Sequence, residues 1–296
     1  MEYKSLRVST RGKVCVIELS RPKHRNSYNE DMRVEIIHAL QQCSRDPQIR
    51  AVVLTGDPAG RAFCAGADLS GGKLGGESSS SNLIDVPQGR KADSGTFRDG
   101  GGVAALAVMR CTKPVIAAMN GAAVGVGMTL SCACDMRVAA EDATVGFVFT
   151  RRGLACESIS SWLLPRLIGL GHSQELVLTG RTFKPRDAPA GLFNYVLPAD
   201  KVLDKALELA NEVANNTSAV SVALSKVSLI RHANVTPEEA HLAESKVIWF
   251  TSQGADAREG IKSFLEKRAP KFEMDAFRDL PPFFPWWREV STDSKL

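Results

Sequence analysis

The sequence predicts an α/β fold with a mainly parallel sheet, and two observations support this prediction. Short apolar strands, such as "AVVLTG" at 51–56 and "KPVIAAMNG" at 113–121, end in glycine. Segments in which apolar residues recur at helical spacing stand between such strands. Strands that alternate with helices are typical of βα units, which place their strands parallel in one sheet. The length of 296 residues allows one main domain with a helical extension.

The first predicted elements are two paired strands and a helix. "LRVST" at 6–10 and "KVCVIEL" at 13–19 show the alternation of half-buried strands, and "RPKHRNS" at 21–27 follows as a turn that contains proline. A helix is predicted from 29 to 43, where charged residues separate the apolar positions. Its apolar residues at helical spacing are Met32, Ile36, Ile37 and Leu40.

The later part of the chain adds strands and then becomes mostly helical. "DMRVAA" at 135–140 and "ATVGFV" at 143–148 continue the series of strands. From residue 157 onward the chain is predicted to be mostly helical. Amphipathic patterns cover 158–168, 202–214 and 236–250.

One segment interrupts this alternation. Residues 70–102 are rich in glycine, serine and charge, which predicts a long mobile loop. A loop of this length inside a compact domain is typical of a functional lid. We therefore predict a core over 1–200 that carries this loop, a C-terminal helical region over 201–268, and a tail over 269–296.

Composition and charge argue against several classes of function. The net charge is +4, with 37 basic and 33 acidic residues interleaved, so a nucleic-acid partner is not expected. No apolar stretch approaches the roughly 18 residues that a membrane span needs. The seven cysteines and five histidines form no disulfide framework or metal-ligand spacing, so neither a metal nor a separate cofactor is expected.

The two ends of the sequence bear on localisation. "MEYKSLRVST" lacks the apolar segment of a secretory signal. The last three residues, Ser294, Lys295 and Leu296, form the tripeptide that the peroxisomal import receptor recognises. We therefore expect the peroxisomal matrix, with a chance occurrence of the tripeptide as the alternative.

Two corners rich in small residues are candidates for a functional site. They are "RAFCAGAD" at 61–68 and "GAAVGVGMTL" at 121–130. Where a strand gives way to a helix, the first N–H groups have no intrahelical partner, and glycine allows a ligand to approach the backbone. Two such corners facing each other would form an oxyanion hole. A phosphate site is not favoured, because the P-loop and dinucleotide motifs are absent, whereas close helix packing remains an alternative.

These motifs and their order resemble the crotonase superfamily of enoyl-CoA hydratases and isomerases. The resemblance rests on "RAFCAGADL", "KPVIAAMNGAAVGVGMTLSCACDMRVAA", "GRTFKPRDAPAGLFNYVLP" and "DAREGIKSFLEKR". It implies a core of repeated ββα units wound as a spiral, with a C-terminal helical region that forms trimers. It also implies an acyl-CoA substrate whose thioester oxygen lies between the N–H groups of Ala67 and Val126, although the family commonly has glycine at the position of Val126.

The resemblance also indicates which reaction to expect. Related hydratases use two glutamates, and this sequence has Thr129 and Phe149 at those positions. The stretch 153–165 is similar to peroxisomal Δ3,Δ2-enoyl-CoA isomerases, in which one glutamate is the base, and that residue is Glu157 here. One carboxylate that removes a proton at C2 and returns it at C4 suffices for isomerisation. Candidates for an apolar wall that would raise the pKa of Glu157 are Phe147, Phe149 and Trp162.

Three alternatives remain open. A hydratase or dehydratase could use Glu157 with a polar partner from the 70–102 loop. Glu157 could simply be an acidic residue in the first turn of a helix, which the helix dipole favours. The fold could also serve binding alone, including binding of RNA.

Further residues are expected to bind the coenzyme A part of the substrate. The resemblance places Arg21, Pro22 and Lys23 in the turn that runs along coenzyme A, and the backbone of Ala65 near the adenine; His24, which follows Lys23, is included as a candidate. Phe264 and Lys267 match positions that reach the coenzyme A of a neighbouring subunit in a homotrimer or hexamer. The sequence assigns no role to Arg151 and Arg152.

Overall fold

The strands of the protein form two sheets in the residues that the computed structural model describes, which are 2–70, 98–288, 290 and 292. The larger sheet has six strands in the order β1-β2-β3-β5-β7-β10, and the smaller has four in the order β4-β6-β8-β9. The strands are β1 Leu6–Arg11, β2 Val14–Leu19, β3 Ala51–Gly56, β4 Ala62–Cys64, β5 Val115–Met119, β6 Ala122–Val124, β7 Met136–Ala140, β8 Val145–Gly146, β9 Thr182–Phe183 and β10 Tyr195–Leu197. All neighbours in the larger sheet are parallel except the β1–β2 pair, as predicted.

Eight helices occur in the same described residues. They are α1 Glu30–Arg45, α2 Gly100–Arg110, α3 Val126–Cys132, α4 Ser160–Thr179, α5 Val202–Asn216, α6 Ala219–Arg231, α7 Pro237–Ser252 and α8 Ala255–Leu265. None of the helices in this part of the chain has the length and apolar character needed to cross a membrane.

The chain repeats one supersecondary unit. A strand of the larger sheet, a strand of the smaller sheet and a helix follow one another as β3-β4-α2, β5-β6-α3 and β7-β8-α4. This order confirms the predicted ββα spiral. Because each unit adds one parallel strand to both sheets, the ends of β4 and β6 come to lie side by side.

Both faces of the larger sheet are covered. Alternate residues of β2 point to opposite faces, so Cys15 and Ile17 join one core and Val14 and Val16 join the other. The core that contains Val14 and Val16 is covered by α5. The face of α5 that packs there carries small side chains, including Ala206, Ala210 and Ala214 at a spacing of four. A strand buried on both faces is continuously apolar, as the sequence of β3 is.

Two sequence predictions need correction, and a third is confirmed. The predicted loop ends earlier than residue 102, because Gly100–Gly102 form the first turn of α2; residues 71–97 of that loop, and the tripeptide Ser294, Lys295 and Leu296, lie outside the described residues. Helix α5 packs on the sheet as part of the core layer, although we predicted that the core ends at 200. The predicted helical segment 158–168 matches the first part of α4, which breaks at Gly169 where φ is 75°, and a second part continues to Thr179.

Candidate active site

The two glycine corners lie directly against each other. Strands β4 and β6 are parallel neighbours, with Cys64 paired to Ala123. A Cβ added to Gly66 would lie 3.1 Å from the Val124 carbonyl oxygen, and one added to Gly127 would overlap the Cys64 carbonyl oxygen. Side chains are therefore excluded where the corners meet, which supports both the packing explanation and the predicted oxyanion hole.

The N–H group of Ala67 points away from the neighbouring segment of the same chain, which contains Tyr28. Ala67 forms a parallel bridge with Tyr28, in which the Tyr28 N–H donates to Gly66 O at 2.8 Å and the Asp68 N–H donates to Tyr28 O at 2.8 Å. In this pattern the N–H of the bridged residue itself points to the opposite side. The preceding Gly66 has φ of +99°, a left-handed value that suits glycine.

Val126 is the first residue of α3, so its N–H group has no intrahelical acceptor. The preceding residue, Gly125, has φ of 53° and donates its own N–H to Gly146 O at 3.0 Å. The unusual backbone angle thus lies at Gly125, and Val126 has helical geometry that any residue adopts. Valine in place of glycine therefore leaves the backbone N–H donor at position 126 unchanged.

Glu157 lies in the turn before α4, three residues ahead of its first residue Ser160. Ser158 and Ile159 both have left-handed φ, at 56° and 51°, which is strained for residues other than glycine. The Ser160 side chain donates to Glu157 O at 2.6 Å and holds the turn. Because no acidic residue occupies the first turn of α4, helix capping does not explain Glu157.

The Glu157 carboxyl group is bound at both oxygens. Thr129 Oγ1 donates to Oε1 at 2.9 Å, and Ser158 Oγ donates to Oε2 at 2.5 Å. Burial raises the pKa of Glu157 to about 7, with a further upward contribution from Asp99 and opposing contributions from Ser158 and Thr129. A carboxyl group with this pKa serves both as base and as acid near neutral pH.

The raised pKa predicts that Glu157→Gln makes the folded chain more stable above pH 7. Between the ordinary pKa of 4.5 and about 7, the folded state keeps a proton that the unfolded state has released, so the free energy of unfolding falls as pH rises. Glutamine does not titrate, and the gain above pH 7 is at most about 3 kcal/mol.

Urea unfolding of both proteins at pH 5 and pH 8 measures this effect. The difference in free energy of unfolding between variant and wild type should increase from pH 5 to pH 8. A difference that is independent of pH would contradict the raised pKa.

The predicted apolar wall belongs to the same hydrophobic cluster as the two corners. Phe147 and Phe149 are buried there together with Val126, and Trp162 and Ala67 pack at its edge. The ring of Phe149 lies 4.0 Å from the position of a Cβ added to Gly125. Phe149 therefore lies beside the second corner, whereas Phe147 and Trp162 share the hydrophobic cluster and their role as a wall stays a prediction.

Some of the residues predicted to bind coenzyme A lie close together. Lys23 and His24 are exposed in the short turn Pro22–His24, and the Ala65 N–H donates to Arg25 O in the same corner at 3.2 Å. That amide hydrogen is thus already used within the chain. The remaining role of these residues toward the nucleotide stays a prediction.

An ion pair fixes this corner to the first glycine corner. Arg21 Nη2 contacts Asp68 Oδ2 at 2.7 Å. Burial alone would raise the pKa of Asp68, but hydrogen bonds from Ser70 and Arg21 lower it to about 2. The carboxylate is therefore charged at any physiological pH and keeps the Arg21 side chain paired within the chain.

Two other pairs of residues are exposed. Phe264, at the end of α8, is 81% exposed, and Lys267 follows the helix on the surface. Their predicted contact with a neighbouring subunit stays a prediction. Arg151 Nε donates to the Thr179 carbonyl at the end of α4 at 3.0 Å, which assigns it to capping that helix, and Arg152 is exposed.

Sequence reasoning did not single out Asp99. It is the N-cap of α2, where its side chain accepts from the Gly102 N–H, and it also accepts from the Ser158 N–H at 3.1 Å. An aspartate directly before a helix is an N-cap signal. The glycines that follow Asp99 hid this signal, because they favour a loop.

Known proteins resemble this chain in both sequence and structure. The family model described as enoyl-CoA hydratase/isomerase matches residues 9–275. The enoyl-CoA hydratase ACTT3 of Alternaria alternata is 40% identical over 262 residues, covering 88% of this chain and 83% of that protein. The enoyl-CoA hydratase AKT3-2 of the same organism is 39% identical over 268 residues, covering 90% and 84%. A crystal structure of an enoyl-CoA hydratase from Bacillus anthracis superposes with a TM-score of 0.78 at 30% identity, covering 91% of this chain and 99% of that one.

Proposed function

The chain belongs to the enoyl-CoA hydratase/isomerase family, the crotonase superfamily, and within it we propose a Δ3,Δ2-enoyl-CoA isomerase with Glu157 as its base. The observation that carries this proposal is the position of Glu157. Its carboxyl group lies against α3, the helix that begins with Val126, through the hydrogen bond from Thr129. It is the group that a substrate held at this helix would meet.

The proposed reaction moves one proton along the acyl chain. The N–H groups of Ala67 and Val126 bind the thioester oxygen of a 3-enoyl-CoA. Glu157 takes a proton from C2, and the electron pair of the broken C–H bond moves toward the thioester oxygen as an enolate. The protonated Glu157 then delivers the proton to C4, and the double bond comes to lie between C2 and C3.

The environment supports both steps. The α-proton of a thioester is weakly acidic, so its removal depends on stabilising the enolate, and each donor of an oxyanion hole contributes roughly 2.7–4 kcal/mol. The raised pKa of Glu157 makes it a stronger base than an ordinary carboxylate.

The two positions at which related hydratases have glutamate also favour isomerisation. Thr129 uses its hydroxyl group to hold Glu157, and Phe149 is buried in the core. Neither can activate a water molecule as a carboxylate would.

Hydration is the second candidate function. Two relatives that are 40% and 39% identical bear the name enoyl-CoA hydratase. A second carboxylate, Asp99, lies beside Glu157 and could contribute to water activation. The predicted hydratase alternative requires such a polar partner from the segment 70–102.

Separate assays with 3-enoyl-CoA and 2-enoyl-CoA distinguish the two functions. The isomerase converts 3-enoyl-CoA to the conjugated 2-enoyl-CoA and forms no 3-hydroxyacyl-CoA, which chromatography of the products measures. Formation of 3-hydroxyacyl-CoA from 2-enoyl-CoA at a comparable rate would establish the hydratase instead. Turnover of neither thioester would favour a binding role.

Assembly and location complete the proposal. A homotrimer or hexamer is supported by large apolar side chains that α7 and α8 leave exposed, among them Leu242, Trp249 and Phe264. Analytical ultracentrifugation tests the assembly. Peroxisomal import through Ser294, Lys295 and Leu296 stays a prediction, which imaging of the chain with and without the tripeptide tests.

A further inference from the structure

Asp99 joins the two structural elements that surround Glu157. Its carboxyl group caps α2 at the Gly102 N–H and accepts from the N–H of Ser158, at 3.1 Å, in the strained turn that carries Glu157. It also contributes to the raised pKa of Glu157. One carboxyl group thus joins the start of a helix to the backbone of the turn that carries the proposed base.

The sequence leaves room for this pair of carboxyl groups by placing glycines beside it. A Cβ added to Gly101 would overlap Glu157 Oε2, and one added to Gly102 would lie 2.6 Å from Asp99 Oδ2. Glycine costs about 1 kcal/mol relative to alanine within a helix. Two of the three consecutive glycines at the start of α2, Gly101 and Gly102, are therefore explained by the space that the two carboxyl groups occupy.

The other groups around Glu157 are mostly uncharged near neutral pH. Thr129 and Ser158 donate hydroxyl groups to it. Burial raises the pKa values of Tyr28 and Cys64, so both stay protonated, and the Tyr28 hydroxyl donates to Gly100 O at 3.0 Å. Arg98, next to Asp99 in the sequence, donates from Nε to the Thr292 carbonyl.

We propose that Asp99 is a positioning residue for Glu157: it holds the strained turn in place, and its carboxyl group beside that turn favours the protonated form of the base. A neighbouring carboxyl group disfavours the ionisation of another. This inference rests on the proposed function, since it takes Glu157 as the base. During the reaction the proton taken from C2 stays on Glu157 until it is delivered to C4, and Asp99 holds the turn throughout.

Asp99→Asn tests the influence of Asp99 on Glu157 without removing the cap, because asparagine and aspartate are comparable N-caps. The amide oxygen still accepts from Gly102 and Ser158, whereas the amide N–H₂ group donates to Glu157 and favours its ionised form. Glu157 should then titrate about one pH unit lower or more. The acidic limb of the kcat/KM profile for 3-enoyl-CoA should move to lower pH by the same amount, since the base is active when it is ionised.

Carboxyl NMR titration of the full chain, labelled with ¹³C at glutamate, measures the pKa of Glu157 without any turnover. Glu157→Gln identifies the signal, and Glu175→Gln, at an exposed position on α4, is the matched control. An unchanged titration of Glu157 in Asp99→Asn would overturn the inference, and so would an unchanged acidic limb in an active enzyme. A wild-type enzyme that does not turn over 3-enoyl-CoA, with the NMR shift present, would refute the proposed function and leave the carboxyl pair established.

Discussion

Glu157→Gln is expected to lower kcat for 3-enoyl-CoA about 10³-fold, within the range that general acid–base groups contribute. Glutamine keeps the shape of the side chain and accepts the hydrogen bond from Thr129 through its amide oxygen, so the fold should be retained. It cannot take up the C2 proton. The loss should therefore appear in kcat, with KM little changed, because the oxyanion hole still binds the thioester.

Steady-state kinetics on purified protein measures this effect. Glu175→Gln, which removes an exposed carboxylate paired with Arg181, should leave kcat unchanged. Near-complete retention of isomerase turnover in Glu157→Gln would refute the assignment of the base.

Val126→Pro is expected to lower kcat about 10²- to 10³-fold, which corresponds to the loss of one oxyanion-hole donor. Proline has no N–H group, yet it is favoured at the first position of a helix, where Val126 lies. The substitution thus removes the proposed donor while it respects the local backbone. Val126→Ala keeps the N–H group and shortens the side chain, so it is the matched control.

The comparison of these two variants separates the effect of the Val126 N–H group on kcat from the effect of its side chain. The alanine variant should retain kcat within about fivefold, because it keeps both donors of the hole. Circular dichroism should show the same helix content in both variants. Equal turnover in the proline and alanine variants would exclude the Val126 N–H as a donor.

The parts of the site that are local in sequence could be predicted. Both corners combine a strand end with small residues, and this pattern indicated two places for backbone donors, which the resemblance then assigned to Ala67 and Val126. The structure adds what the pattern lacks, namely that parallel pairing of β4 and β6 places the corners against each other. Resemblance was needed to single out Glu157, because an acidic residue near the start of a helix is common without any function.

The start of α2 could not be predicted, because local propensity and tertiary packing disagree there. Three glycines after Asp99 favour a loop by their intrinsic propensity. The structure makes them helical because α2 has to approach the Glu157 turn closely. The pairing of Asp99 with Glu157, which are distant in sequence, follows from that approach and has no local signal.

The packing of α5 on the larger sheet could not be predicted from the sequence either. Its amphipathic pattern predicted a helix, but not the surface that it covers. The alanines at 206, 210 and 214 allow α5 to lie close to β2, β3, β5 and β7 and to complete the second core. Packing between distant elements determined this placement.

The central claim is that one carboxyl group carries a proton from C2 to C4. A single-turnover reaction with 3-enoyl-CoA deuterated at C2 tests it most directly, with mass spectrometry and NMR locating the label in the product. The account predicts that deuterium removed from C2 appears at C4 of the 2-enoyl-CoA, and that Glu157→Gln abolishes this transfer. The account would be contradicted if the hydrogen added at C4 came entirely from solvent, even at the shortest times.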